Sequence, residues 1–310
     1  MIEFCVYKEN DAPAWNTFLA TSKNGTFLFD RGFMDYHSDR FDDFSLMIFN
    51  EKKLVALFPA NLSEDNILHS HAGLTYGGLV TGVNMTAALA LIIFDELIKY
   101  LRENKIIQLH YKPIPHIYHR HPSEEDLHAL FLVGARLNRS DISSAIQLGS
   151  SPKFSKLKKR GVNKAKKADL IISKSDEWAR YWQVLAANLC RHNTKPTHSL
   201  AELRLLKCRF PNHIFLFAAH KQDDLLAGLV VFDCGRTIHI QYIASTEQGR
   251  NLGAVDAIVS HLVSLYDQRD WLDFGISTTD QGRSLNVGLS RQKEMYGART
   301  IVYQHYLLNL

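Results

Sequence analysis

The 310-residue chain has few cysteines and no long apolar run. Its four cysteines, Cys5, Cys190, Cys208 and Cys234, lie far apart and form no CxxC pair. This spacing disfavours both a zinc site and a disulfide framework. The longest apolar stretch, Ala87–Phe94, is far shorter than the ~20 residues that a membrane-spanning helix needs.

The chain also lacks a marked charge imbalance and a secretion signal. A net charge of +4 from 36 basic and 32 acidic residues is too balanced to indicate general binding to nucleic acid or membranes. No basic segment followed by an apolar run opens the sequence. With 46% hydrophobic and 22% charged residues, the composition is that of a globular protein. We therefore expect a soluble, cytoplasmic protein in which any basic site is local.

The motifs of covalent and metal catalysis are absent as well. No GxSxG nucleophile elbow and no kinase signature occurs. His110, His116, His119 and His121 lie close along the chain, but their spacing fits neither HExxH nor a zinc ribbon. Covalent catalysis is disfavoured, and no metal site is predicted.

What the sequence does contain is one order of elements that occurs twice. Each half has two alternating apolar strands joined by a polar turn, which indicates a hairpin, followed by a strand, an amphipathic helix and a closing strand. The first half is predicted to comprise strands at Phe44–Asn50, Leu54–Asn61, Asn66–Ser70 and Tyr76–Val80, a helix capped by Asn84 that ends near Asn104, and a strand at Ile106–Tyr111. The second is predicted to comprise strands at Ile214–Ala219, Leu225–Phe232 and Thr237–Ala244, a helix at Gly249–Tyr266, and a strand at Leu272–Ile276.

The two hairpins lie about 170 residues apart. Self-similarity over such a long period favours a duplicated domain, and chance agreement between α/β elements is the alternative. We predict domains at residues 1–145 and 146–310, with the last strands free to pack back on the first domain. Two further helices, Trp178–Cys190 and Ser199–Arg209, belong to the second domain.

A set of loose motifs in a fixed order resembles the FemAB-like family of tandem GNAT-fold acyltransferases. These segments are Trp15–Leu19, Asn24–Leu28, Ala56–Ala60, Gly73–Leu79, His198–Leu203, Gln241–Ser245, Asp273–Ser277 and Lys293–Ala298. The resemblance implies an α+β fold of two GNAT domains, each a mixed, mostly antiparallel sheet flanked by helices. The chain has no sustained heptad repeat, so it corresponds to the short form without a coiled-coil arm.

A basic segment between the halves is the first candidate site. If residues 154–168 are helical, Lys156, Arg160, Lys164 and Lys167 lie on one face. Such a stripe can bind phosphate, since Lys and Arg provide charge-assisted donors, but a solvated helix face is the alternative. In the family, a similar helix contacts the diphosphate of a nucleotide-linked acceptor.

A loop with histidines follows the next predicted helix. His192, Lys195 and His198 are predicted to face the substrate, since imidazole titrates near neutral pH and can transfer protons. Surface histidines are nevertheless common in a chain with 15 of them. Tyr76, in a glycine-rich segment that can line an acceptor channel or form a tight turn, and Tyr242 complete the predicted substrate-binding set.

The segment around Gly253 follows a strand and opens a helix. Backbone N–H groups at such a helix start can bind the pyrophosphate of coenzyme A. Arg250, Gly253 and Ala254 are the predicted cofactor-binding residues, although Val255 occupies a position where the GNAT pattern has a small residue. A plain helix start is the alternative.

The resemblance also implies the catalytic residues. Lys293 matches the lysine of an F-K-x-x-F-G motif that stabilises negative charge as the acyl group transfers. Asp273 ends a predicted strand, where it could hold the attacking amine or cap a loop. His198 could take the proton of the amine, and Tyr296 could protonate a leaving thiolate or belong to the core.

Three functions follow from these residues. The first is an N-acyltransferase that moves an acyl group, from acetyl-CoA by default, to an amine on a phosphate- or nucleotide-linked sugar or cell-envelope precursor. The second is an aminoacyl-tRNA-dependent peptidyltransferase of peptidoglycan bridge synthesis. The third is a non-catalytic binding module with a GNAT fold. The sequence does not identify the acceptor or the oligomeric state.

Overall fold

A computed structural model describes residues 1–191 and 194–310 of the chain. The chain forms two compact units. The first unit comprises Met1–Ile142, Thr278–Ser284 and Val302–Leu310, and the second comprises Ser143–Ser277 and Leu285–Ile301. None of the helices in the described residues is long and apolar enough to cross a membrane.

Both units contain helices and strands. The helices are α1 (Ala12–Thr21), α2 (Arg31–Met34), α3 (Ala87–Glu103), α4 (Glu125–Leu132), α5 (Lys156–Lys167), α6 (Trp178–Cys190), α7 (Leu200–Arg209), α8 (Glu247–Leu252), α9 (Ala254–Leu265) and α10 (Val287–Glu294). The strands are β1 (Ile2–Val6), β2 (Asp42–Asp43), β3 (Leu46–Asn50), β4 (Lys53–Phe58), β5 (Asn61–Leu62), β6 (Ile67–His69), β7 (Val80–Thr81), β8 (Gln108–Tyr111), β9 (Arg136–Gln147), β10 (Ile171–Ser175), β11 (Ile214–Lys221), β12 (Asp224–Asp233), β13 (Thr237–Ser245), β14 (Trp271–Ile276), β15 (Thr278–Thr279), β16 (Ser284–Leu285) and β17 (Arg299–Asn309).

In the first unit, one sheet has the strand order β1-β3-β4-β7, and a second group has the order β17-β8-β6-β5-β2. The pair β6 and β8 is parallel, whereas β3 pairs with β4, and β17 with β8, in the antiparallel sense. Helix α3 packs its apolar stripe, including Ile93 and Leu97, into a core with Phe58 and Tyr111. This burial is the main favourable term that holds the helix on the strands.

In the second unit, the strand order is β10-β11-β12-β13-β14-β9. Only the β13–β14 pair among these is parallel. Helix α9 covers the sheet with Ile258 and Leu262, which pack in one core cluster with Leu229 and Leu272. The predicted α+β fold with mostly antiparallel sheets is confirmed.

Both predicted hairpins and the helix Trp178–Cys190 are confirmed. The predicted strand Tyr76–Val80 is wrong, since only Val80–Thr81 pairs. A Cβ at Gly77 would lie 1.8 Å from the Ser70 carbonyl oxygen. The segment therefore packs tightly against Ser70, although it does not pair as a strand. An apolar pattern indicates burial, and a packed loop can be buried just as a strand is.

Two predicted helix limits are also wrong. The cap of α3 is not Asn84 but Thr86, whose side chain accepts a hydrogen bond from the Leu89 N–H. The predicted helix Gly249–Tyr266 is two helices, because Gly253 adopts a left-handed conformation with φ of 72° and ends α8. Glycine is the residue that takes this conformation at no steric cost.

Candidate functional site

The parallel strands β13 and β14 pair over a short stretch and then separate. Their paired positions join Thr237–His239 to Trp271–Asp273. Beyond these positions, β13 continues to Ser245 and β14 to Ile276, but the two strands do not pair with each other again in the described part of the chain. A β-bulge at Gln241 accompanies the separation, since Val230 pairs with Tyr242 and Val231 with Ile240. We call the resulting opening the strand gap; backbone N–H and C=O groups along its edges can accept an extended ligand.

Three polar side chains meet at the closed end of the strand gap. The fully buried Asp273 carboxylate accepts hydrogen bonds from Ser143 Oγ at 2.6 Å and from the Gly275 N–H at 3.2 Å. His239 Nδ1 lies 3.0 Å from the other carboxylate oxygen. Because the carboxylate accepts, Nδ1 carries a proton, and Nε2 is the ring nitrogen that can exchange a proton with a ligand.

His239 was not predicted from the sequence. A signal was present, since a polar histidine stands between two buried isoleucines, Ile238 and Ile240, in the same strand. The hydrogen bond of His239 to Asp273 spans 34 residues, so only the folded sheet brings the two together.

Lys293 lies beside the open end of β14. Its ammonium donates to Gly275 O at 2.7 Å, Ile276 O at 2.9 Å and Ser277 Oγ at 2.8 Å. Burial lowers the pKa of Lys293 to about 8, against the opposing effect of the Asp273 carboxylate. An ammonium group has three N–H donors, and these contacts employ all of them. The geometry supports a role in positioning the end of β14, and the role of Lys293 in charge stabilisation stays a prediction.

Tyr242 and His198, both predicted site residues, are brought together. His198 Nδ1 lies 2.7 Å from Tyr242 Oη, and the His198 backbone N–H donates to the same oxygen at 3.2 Å. Burial raises the pKa of the Tyr242 phenol. Lys195 is exposed in the same loop, and His192 lies outside the described residues.

Tyr296 lies apart from the strand gap, in the core of the second unit. Its hydroxyl donates to Asp256 Oδ1 at 2.5 Å, and its ring stacks on Phe274. Lys158 completes the contact, with Nζ 2.9 Å from Asp256 Oδ1 and 4.3 Å from the Tyr296 ring centroid. Burial and the Asp256 carboxylate both raise the pKa of Tyr296. These contacts favour the alternative that Tyr296 is a core residue, and its role as a proton donor stays a prediction.

Tyr76 is likewise a core residue of the first unit. It is 1% exposed, and its hydroxyl lies 3.0 Å from Thr26 Oγ1. Its ring packs against Tyr118 and Phe29. The structure places Tyr76 in a buried aromatic cluster of the first unit, and its substrate-binding role stays a prediction.

The predicted cofactor-binding segment is closely covered by α5. A Cβ at Gly253 would lie 2.3 Å from the Gly161 carbonyl oxygen, and Ala254 is fully buried. The Gly249 N–H donates to Thr246 Oγ1 at 3.0 Å, and Arg250 Nη1 donates to Ser245 O at 2.9 Å. These contacts serve the local fold, and the cofactor-binding role of Arg250, Gly253 and Ala254 stays a prediction.

The predicted basic stripe forms on α5, which begins at Lys156 and ends at Lys167. Lys156, Arg160, Lys164 and Lys167 are all exposed, whereas Lys158 points inward to Asp256. The stripe is therefore accessible to a polyanion. In residues 1–191 and 194–310, no group of three or more His, Cys, Asp or Glu side chains is arranged to hold a metal ion.

Comparison with solved structures finds the same fold in several proteins. FemX superposes with a TM-score of 0.70 at 10% identity, covering 99% of this chain and 97% of that one. L-PGS from Bacillus licheniformis gives 0.63 at 13% identity, covering 98% and 92%. A tandem GNAT protein from the clavulanic acid biosynthesis pathway gives 0.51 at 11% identity, covering 100% and 98%.

No known family profile matches the sequence, and no characterised protein matches it at the level of sequence. At this low identity, the superpositions define the fold alone. The chain has the tandem GNAT fold that its motif order predicted.

Proposed function

We propose that the chain is an N-acyltransferase. In this proposal it moves an acyl group, with acetyl-CoA as the default donor, to an amine on a phosphate- or nucleotide-linked sugar or a cell-envelope precursor. The observation that carries the proposal is the strand gap with His239 and Asp273 at its closed end. The fold similarity to FemX, L-PGS and a tandem GNAT protein over nearly the whole chain supports it.

The strand gap suits a donor with an extended, amide-bearing arm. Such an arm can hydrogen-bond along separated strands as an added strand does. The attacking amine forms the new C–N bond at the thioester carbonyl, and the C–S bond then breaks to release the thiolate. His239 Nε2 takes the proton that the amine loses, and Asp273 stabilises the imidazolium that results.

Lys293 contributes to this chemistry by holding the end of β14. Its three hydrogen bonds fix the backbone of residues 275–277, which border the strand gap. A fixed edge costs no reorganisation as the acyl group enters, so the reacting carbonyl can be held in an attack geometry.

The exposed stripe on α5 favours a second candidate, an aminoacyl-tRNA-dependent transferase. Four cations on one accessible helix face can contact successive phosphates. Binding of charged tRNA should then weaken steeply as salt rises, with a slope set by the number of phosphates neutralised. The same stripe could instead hold the phosphates of a nucleotide-linked acceptor, in which case tRNA binds no better than any other polyanion.

The third candidate, a non-catalytic binding module, draws support from the covered Gly253 turn. It differs from both transferases in one respect: the polar cluster at the strand gap would then serve folding alone. Replacing His239 would change stability and leave ligand binding and cellular function as they are.

The test measures thiol release from acetyl-CoA with a panel of amine acceptors that includes UDP-linked amino sugars. His239→Asn should lower the rate by about 10²–10⁴-fold, the usual contribution of a general base, and leave acetyl-CoA binding intact by calorimetry. His128→Asn is the matched control, since His128 is exposed on α4. Full activity in His239→Asn would sink the assignment, and binding of charged tRNA in place of acetyl-CoA would favour the second candidate.

A further inference from the structure

The first unit contains a polar cavity of about 300 Å³ that the proposed function does not use. It lies where β6, β8, β9 and β17 contribute polar side chains close to one another. The side chains that bear on its chemistry are His69, His110, Lys112, Asn138, Arg139 and His305. Nearly all of them present N–H donors or basic nitrogens.

Charge in and behind the cavity is not balanced. Five basic side chains line it, and two buried carboxylates lie behind the lining: Asp141, and Asp126, which accepts a hydrogen bond from Tyr111 Oη at 2.7 Å. Asp141 is already engaged, since it accepts from Arg139 Nε at 2.6 Å and from Thr278 Oγ1 at 2.6 Å. His305 Nε2 lies 3.6 Å from the same carboxylate.

Lys112 is the most unusual of these side chains. Its ammonium donates to His71 O at 2.7 Å and Leu74 O at 2.6 Å, and it forms no ion pair with a carboxylate in the part of the chain that the structure describes. A cation withdrawn from water without a counter-ion is unfavourable. Two carbonyls satisfy two of its three donors, and the third has no protein acceptor within the described residues.

We propose that this cavity binds a phosphate-bearing group. Donors from four strands surround one small space, an arrangement that matches the several oxygens of a phosphate better than the two of a carboxylate. The Arg139 guanidinium offers a fork of N–H donors that can bind phosphate in two places, and its contact with Asp141 is made through Nε. The volume is at the lower limit for ligand pockets, so the bound group is a phosphate monoester or inorganic phosphate.

Protonation of the cavity should be coupled to this binding. Burial lowers the pKa of Lys112 to about 7 and that of His305 to about 4, and it lowers the pKa of His69 and His110 as well. Arg139 adds to the effect on Lys112 and His305, and Asp141 opposes it at His305. A bound dianion favours the charged forms, so the site takes up protons and its affinity falls as pH rises through about 7.

The experiment is calorimetric titration of the full chain with inorganic phosphate at about pH 6 and pH 8.5. The affinity for the phosphate dianion, corrected for the ionisation of phosphate itself, should be higher at the lower pH, with proton uptake visible in buffers of different ionisation enthalpy. Arg139→Gln should weaken binding about tenfold, as expected for loss of a hydrogen bond to a charged group. Arg136→Gln, an exposed position at the start of the same strand, should bind as wild type does.

Acetate in place of phosphate tests the chemistry of the ligand. It should bind at least tenfold more weakly, and equal binding of acetate would overturn the phosphate assignment. Equal affinity of the Arg139 and Arg136 variants, or no heat with millimolar phosphate, would overturn the site. If Arg139→Gln fails to fold, Lys112→Gln supplies the test, since the Lys112 pKa of about 7 lies between the two pH values and its loss should remove most of the gain in affinity at low pH. Acyl transfer is not measured, so failure of the proposed function leaves this result intact.

Discussion

Replacing Gly161 by alanine should destabilise the protein, although helix propensity predicts the opposite. Gly161 lies in the middle of α5, where alanine is normally better than glycine by about 1 kcal/mol. In the structure, a Cβ at this position would lie 1.8 Å from Asp256 Oδ2 and 2.8 Å from Asp256 Cγ. Helix α5 must therefore move off α9, or Asp256 must turn away.

Neither movement is easy, because Asp256 is held from two other directions. Lys158 Nζ lies 2.9 Å from Asp256 Oδ1, and Tyr296 Oη donates to the same oxygen at 2.5 Å. The Lys158 side chain is 8% exposed, so loss of Asp256 as its partner would leave a buried cation without a counter-ion. Complete loss of such a pair costs about 3–5 kcal/mol. Partial loss of the Lys158–Asp256 ion pair, offset by the gain in helix propensity from alanine, leaves a net destabilisation of about 2 kcal/mol.

Thermal unfolding followed by circular dichroism measures this effect. Gly161→Ala should lower Tm by about 5 °C for a protein of this size class. Gly288→Ala in α10 is the control, since a Cβ there meets nothing closer than Asn286 Oδ1 at 3.6 Å, and its Tm should stay constant or rise slightly. A higher Tm for Gly161→Ala than for wild type would refute the packing argument and leave propensity as the governing term.

Two further predictions concern buried charges of the first unit. Asp126 accepts a hydrogen bond from Tyr111 Oη at 2.7 Å, and burial raises the pKa of its carboxyl from 3.8 to about 6. The protonated carboxyl is therefore favoured in the folded state, and the stability that this protonation contributes is lost as pH rises from about 4 through 6. Asp126→Asn should therefore gain up to about 3 kcal/mol over wild type in urea unfolding at pH 8 and little at pH 4, since each pKa unit corresponds to about 1.4 kcal/mol; an equal difference at both pH values would contradict the assignment. Arg31 is 4% exposed, pairs with Asp35 and Asp43, and lies 3.6 Å from the Tyr7 ring centroid. Arg31→Met should therefore destabilise the protein by about 2 kcal/mol. Arg40 is a more exposed arginine, so Arg40→Met should change the stability by less than about 0.5 kcal/mol.

Local patterns in the sequence predicted the elements whose residues contact one another within a short stretch of chain. The hairpin of β3 and β4 follows from its alternation, and the turn residues Glu51 and Lys52 take left-handed conformations with φ of 50° and 66°. A turn with both central residues in that region matches the twist of the strands that it joins. Neither residue is glycine or asparagine, so the apolar alternation and not the turn composition identified the hairpin.

Patterns failed where tertiary contacts replaced local ones. The segment before β7 is buried as a strand would be, yet Asn24 supplies hydrogen bonds that a neighbouring strand would otherwise make, with Nδ2 donating to Leu79 O and Oδ1 accepting from the Thr81 N–H. A side chain more than 50 residues away in sequence cannot be recognised as such a partner from periodicity.

The candidate site could be predicted in part, through resemblance to known proteins. That resemblance indicated Asp273 and Lys293, and the structure places both at the edge of the strand gap. It did not indicate His239 or Ser143, which contact Asp273 across 34 and 130 residues of sequence. Their role depends on where β13 and β14 stop pairing, which is a property of the sheet and not of any short motif.

Two buried lysines, Lys293 in the second unit and Lys112 in the first, differ in how completely their N–H donors are satisfied. In the second unit, Asp273 meets His239, Lys158 meets Asp256, and Lys293 uses all three donors. Such matched groups are inexpensive to bury and can hold a reacting geometry. In the first unit, Lys112 has carbonyl partners but no counter-ion in the described ranges, at the wall of a cavity lined by further basic groups. Lys112 therefore has a donor left for a ligand, whereas all three donors of Lys293 are used, and this is why we propose an anion in the cavity and not beside Lys293.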